Sequence, residues 1–90
     1  MKIKCAAIFY EGKIYEGRDQ ATIGLQMLAN GVCPKPYPGG NAQGFVTDAG
    51  TFVGRKEALA IAQANNQIVK KNGNKNELWS EDLFNILLRG

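Results

Sequence analysis

The sequence predicts an α+β domain of two β-hairpins, each followed by a helix, with a short C-terminal helix closing the chain. Three observations predict it. Two stretches rich in β-branched and aromatic residues turn back at polar, glycine-containing turns, Glu11-Gly12 and Asp48-Ala49-Gly50-Thr51. A segment with helical apolar spacing follows each pair. At ninety residues the chain is long enough for one domain, taken as 1–90, and too short for two.

The first hairpin joins Ile3–Tyr10 to Lys13–Gly17, and alternation sets Ile14 on the face opposite Lys13 and Tyr15. Asp19 reads as the N-cap of a helix over Gln20–Asn30, with Ala21, Leu25 and Leu28 as its apolar face and Asn30-Gly31 as its end. Gly24 weakens that helix by about 1 kcal/mol relative to Ala, which suggests close packing on the hairpin. Residues 33–43 hold three prolines, Lys35, Tyr37 and Gly39-Gly40, an irregular loop of the length that often carries function. The second hairpin pairs Gly44–Thr47 with Phe52–Val53. A helix from Arg55 to Asn66 then shows an apolar stripe of Ala58, Leu59, Ile61 and Ala62, with Ile68 packing just beyond. Residues 70–77 read as a solvated loop and Trp79 as a hydrophobic anchor. Ser80 caps a last helix over Glu81–Leu88, with Glu81 and Asp82 in its first turn and Leu83, Ile86 and Leu87 as its apolar face.

Composition narrows the function. The net charge is +3, spread thinly: residues 1–45 carry five basic and three acidic side chains, residues 46–90 six and five. No basic run exceeds two residues, as at Lys70-Lys71, so a duplex-DNA groove binder is not expected. A pocket for one small anion is compatible. Two cysteines without CxxC spacing give no disulfide framework; Cys5 is expected as a buried free thiol and Cys33, beside Pro34, as a more exposed one. Neither a signal-peptide pattern nor a membrane-length apolar run is present, and the expected location is the cytoplasm. A chain this small has a thin core and gains from self-association, so a homo-oligomer is expected.

Catalysis lacks its usual instruments. There is no histidine, the commonest general base and metal ligand. Neither cysteine has an evident activating base, and no P-loop, GxGxxG or HExxH pattern occurs. No enzyme, cofactor or metal is therefore expected. Binding has better material. Arg18 stands at a strand-to-helix junction after Gly17, where a guanidinium and first-turn N–H groups together suit a phosphate. Its competing reading is a solvated side chain or a pair with Glu16. Arg55 and Lys56 repeat the arrangement after the second hairpin; their competing reading is a wet face balanced by Glu57. Phe9, Tyr10, Tyr15, Tyr37, Phe45 and Phe52 are candidate surfaces for a nucleobase, worth about 1–3 kcal/mol per stacked ring; Phe45 and Phe52 suit the core better than a stacking platform, and Tyr37 is the ring expected to be exposed. With Thr47 these residues outline a site for a nucleotide-sized anion.

The residues that carry a family resemblance are Ala7-Ile-Phe-Tyr-Glu-Gly-Lys-Ile-Tyr-Glu-Gly-Arg18, Gln43-Gly-Phe-Val-Thr47, Gly50, Phe52-Val53, Arg55, Glu57-Ala58, Ile61-Ala62, Gln67-Ile68 and Ser80-Glu-Asp-Leu83. The chain resembles small phage-encoded proteins of this layout, the Thoeris anti-defence sponges that sequester cyclic ADP-ribose signals, some of which also bind cyclic oligonucleotides. Asp19-Gln20 stand where that pattern often has a histidine after the Gly-Arg pair. The resemblance implies a countermeasure acting in the host cytoplasm, a homo-oligomer with ligand pockets between subunits, and a signal held intact. It implies Arg18 and the Gly44–Lys56 region as pocket walls. Two rival readings remain: a protein-binding inhibitor or phage accessory protein working through Leu83, Ile86 and Leu87, and a weak single-stranded nucleic-acid binder using the same rings and basic residues.

Overall fold

A computed structural model describes residues 1–33, 42–69, 71, 73 and 75–83. The elements are β1 (Ile3–Tyr10), β2 (Lys13–Gly17), α1 (Gln20–Ala29), β3 (Gln43–Thr47), β4 (Phe52–Gly54), α2 (Arg55–Ala64) and a 3-10 helix (Ser80–Leu83). They form the α+β arrangement predicted from the sequence: one antiparallel sheet in the order β2-β1-β3-β4, with helices after each hairpin. The Pro34–Gly40 loop with Tyr37 lies outside the described residues, as does the rest of the expected C-terminal helix with Ile86 and Leu87.

Local chemistry explains the turns. Glu11 (φ 49°) and Gly12 (φ 79°) both take the left-handed conformation, the geometry whose twist matches a two-residue hairpin. Register then sorts the side chains. Ile8, Tyr15 and Gln43 share one row, and Ala6, Gly17, Phe45 and Val53 share another, both on the helix-bearing face. The core gathers there: Ile3, Ala6, Ile8, Phe45 and Val53 from the sheet, Ile23 and Met27 from α1, Ala58, Leu59 and Ala62 from α2, and Leu78. Cys5, Ala7, Phe9, Ile14, Glu16, Val46 and Phe52 alternate onto the opposite face.

The face that α1 buries differs from the one its leucines suggest. Ile23, Gly24 and Met27 are the buried residues, whereas Leu25 and Leu28 are 68% and 55% exposed. Gly17 decides the matter. A Cβ there would lie 2.7 Å from Ile23 Cγ1, so the helix sits down on bare backbone with Ile23 inward. Asp19 caps the start, accepting from Thr22 N at 2.7 Å. The end is closed by Gly31 N to Leu28 O and Val32 N to Met27 O, with Gly31 at φ 79°. The second helix ends at Ala64, two residues before the expected limit. Asn66 (φ 55°) plays the part there that Gly31 plays in α1, and Gln67 N reaches Ala62 O at 2.9 Å.

Long-range polar contacts tie the terminal segments down. The Gln67 amide pairs with both backbone groups of Ile3, at 2.9 Å each, beside the register shift between Ile3 and Cys5. Leu78 is fully buried, and it rather than Trp79 is the anchor; the indole lies against Gly73 and is 37% exposed. Asp82 lies in the first turn of the 3-10 helix, as its place after Ser80 predicts, and is drawn inward there. It is fully buried, and its Oδ2 accepts from Trp79 N and pairs with Lys71 Nζ, both at 2.8 Å.

Removing that carboxylate takes the acceptor from the part-buried Trp79 N–H and its counter-charge at 2.8 Å from Lys71, whose side chain is 27% exposed. Asp82→Ala is expected to lower stability by about 2–3 kcal/mol, and Asp82→Asn, which keeps an acceptor for Trp79 N, by about half as much. Urea unfolding of the two variants beside the wild type measures both.

Candidate functional site

The site grows from the way each hairpin feeds its helix. The last residue of β2, Gly17, is followed by Arg18, the cap Asp19 and then Gln20, the first residue of α1. In the second unit β4 ends at Gly54 and α2 begins at once with Arg55. Because β3 lies between β1 and β4, both helix starts come within a side chain's reach of the head of β3. Gln20 Nε2 donates to Gly44 O at 3.0 Å, and Arg55 Nη2 donates to Gln43 Oε1 at 2.8 Å. Two helix N-termini separated by thirty-four residues thus meet on two adjacent residues of one strand.

The two starts differ electrostatically. Asp19 already occupies the positive end of α1. Gly54 offers α2 no capping side chain, and the acidic residue of its first turn is Glu57. Arg55 and Lys56 occupy that same turn, where each positive charge opposes the helix dipole by about 0.3–1 kcal/mol. Arg55 is half-buried and compensated: Nη1 donates to Leu78 O at 3.0 Å while its own carbonyl accepts from Leu78 N at 3.0 Å. Two of the five donors of a guanidinium are thereby committed to the fold. Lys56 is exposed, as is Arg18.

Two of the expected ligand contacts are corrected by burial. Phe45 is fully buried in the core, on the row with Ala6 and Val53, and presents no face to a ligand. Thr47 is fully buried as well, at the far end of β3, where its Oγ1 accepts from Ala49 N and Thr51 N at 3.3 Å and braces the turn. Phe52 lies on the other face of the sheet, its ring 5.9 Å from that of Phe9 and tilted by 55°. The ring rests over Gly44, where a Cβ would come within 2.8 Å of Phe52 Cζ and collide with Val53 O. Arg55 belongs to the helix-start cluster through Gln43, Arg18 and Lys56 stand beside the two helix starts in sequence, Phe52 is on the opposite face, and Tyr37 lies outside the described residues. Gln20 and Gln43 join the cluster without a signal in the sequence, since an amide at a helix start or strand start is ordinarily solvated.

Other polar groupings have less to offer a ligand. A cleft of about 470 Å³ is lined by Gln63, Asn66, Ile68, Lys71 and Lys75. It lies beyond the C-terminal end of α2, where the helix dipole disfavours anions, and the Lys71 ammonium already neutralises Asp82. On the open sheet face Glu16 bonds Lys4 at 3.1 Å, raising the lysine pKa through that hydrogen bond and the opposite charge. Among the described residues no group of three His, Cys, Asp or Glu is placed to hold a metal ion. Nor, among them, is any helix long and apolar enough to cross a membrane.

Cys5 is a half-buried free thiol 3.6 Å from Glu16 Oε1, and burial, then the Glu16 charge, push its pKa up. Both effects deplete the thiolate at neutral pH, so iodoacetamide is expected to label exposed Cys33 well before Cys5. Glu16→Gln is expected to speed Cys5 labelling, which peptide mass spectrometry over a time course reads directly.

Comparison with known proteins gives one result. The family described as phage T4 y16D protein matches over residues 2–84, nearly the whole chain. No curated protein and no solved structure matches.

Proposed function

From the premise that this chain belongs to the phage T4 y16D protein family, we propose that it is a phage-encoded sponge that binds a cyclic nucleotide-type immune signal and holds it uncleaved in the host cytoplasm. The ligand class is a cyclic ADP-ribose isomer or a cyclic oligonucleotide. The observation that supports the reading is the meeting of two helix starts at the head of β3, where Arg55 bonds Gln43, with Arg18 and Lys56 next to those starts in sequence. An anion at the uncapped start of α2 accepts first-turn N–H groups and relieves the opposition between Lys56 and the helix dipole. Arg18 supplies a second positive charge from the α1 side. Sequestration needs affinity and abundance alone, so a site without a general base suffices. The resemblance to Thoeris anti-defence sponges, carried by the residues around Gly17-Arg18 and Gly44–Arg55, supports the same ligand class.

A second reading has one observation of its own. Phe9 is 44% exposed and paired with Phe52 on the open sheet face, an arrangement on which unpaired bases stack. The lysine on that face is bonded to Glu16, which leaves little net charge for a phosphate backbone. This reading therefore ranks second.

Calorimetry against cyclic dinucleotides, cyclic trinucleotides and cyclic ADP-ribose isomers tests the proposal. At least one member is expected to bind tightly and to be recovered unchanged when the complex is heated. Arg18→Ala and Lys56→Ala, both at exposed positions, should each weaken that binding by about tenfold or more, the worth of one charge-assisted hydrogen bond. Silence across the whole panel would reject the sponge. A gel shift on single-stranded oligonucleotide that fades steeply with salt and is lost in Phe9→Ala would favour the second reading.

A further inference from the structure

The ten residues of α1, Gln-Ala-Thr-Ile-Gly-Leu-Gln-Met-Leu-Ala, include no charged side chain. A surface helix ordinarily presents charged or polar residues on the side away from the core. This one is buried on one side only, through Ile23, Gly24 and Met27. Ala21, Leu25 and Leu28 form a second apolar stripe at i, i+4 and i+7, about a third of a turn around the helix from the first, and all three are exposed. Single exposed leucines are commonplace on protein surfaces, but two in register on an uncharged helix are not.

We infer that this stripe is the contact between two copies of the chain, with α1 packing antiparallel on α1 across a two-fold axis close to Leu25. The stripe complements itself. Its midpoint falls between Gly24 and Leu25, so a two-fold there sets Leu25 against its counterpart and each Leu28 against the small Ala21 of the other copy. Large meets small at both ends, as close helix packing requires. Antiparallel alignment also opposes the two helix dipoles. Charge chooses among occupants: an acidic or basic partner finds no counter-charge on α1. A membrane surface ordinarily engages a helix flanked by Lys and Arg on its polar face, and α1 has none. A second uncharged helix is the partner that fits. The inference stands on α1 alone and is independent of what the helix-start cluster binds.

Sedimentation equilibrium of the full chain over a concentration series tests it. A contact of three turns is small, so the wild type is expected to be a dimer that dissociates on dilution. Leu25→Glu and Leu25→Lys are at a solvated position and should keep the wild-type circular dichroism spectrum. Each alone is expected to be monomeric, because like charges meet on the axis. An equimolar mixture of the two is expected to regain the dimer mass, an outcome specific to Leu25 facing Leu25. A wild type monomeric at every concentration would overturn the inference, as would dimers persisting in both variants or a mixture that stays monomeric. Vesicles of phosphatidylcholine and phosphatidylglycerol that sediment a monomeric wild type but not Leu25→Glu would overturn it in favour of a lipid surface.

Discussion

The pairing of β1 with β3 is the constraint on which the molecule rests. Each ββα unit is local, and a lone hairpin is marginal in water. The β1–β3 ladder closes a gap of about forty residues, from Ile3–Ile8 to Gln43–Thr47. In doing so it lays Phe45 beside Ala6, makes one core from two, and brings both helix starts to the head of β3. Closing a loop of that length costs only a few times RT more than closing a short one. The apolar area gained under two helices offsets it readily.

Small residues along the central strands set the spacing of the layers. Ala6 and Gly17 keep the sheet surface low where α1 descends, and Gly44 does the same on the opposite face for the Phe52 ring. Polar groups drawn inside are matched. Asp82 has Lys71 and Trp79 N, Ile3 has the Gln67 amide, and among the described residues no buried side-chain nitrogen or oxygen lacks a partner. These contacts fasten the segments flanking the sheet to a core too thin to hold them by burial alone.

Functionally, the two helix starts are unequal. Asp19 spends the dipole of α1 on its own fold, while α2 opens on a glycine, two cations and Glu57, with no side-chain cap. Arg55 has a double part, because its guanidinium also spans Leu78 O and Gln43 Oε1. A ligand at this place would therefore touch the residue that holds the Leu78 segment to the sheet.

Element type and order were legible in the sequence because local rules fix them: turn glycines, the Asp19 cap, and the apolar period of Ala58, Leu59 and Ala62. The fold class and both hairpins followed from these alone. Which face of α1 turns inward was not legible, since Ala21-Leu25-Leu28 and Ile23-Met27 are both valid helical stripes; contact with the bare backbone of Gly17 chose between them. The burial of Phe45 and Thr47, the Lys71–Asp82 pair, and the meeting of Gln20 with Gly44 and of Arg55 with Gln43 likewise depend on which strands are neighbours. Strand neighbours are a non-local choice. It is decided by how two hairpins dock, and no window of sequence contains both sides of that contact.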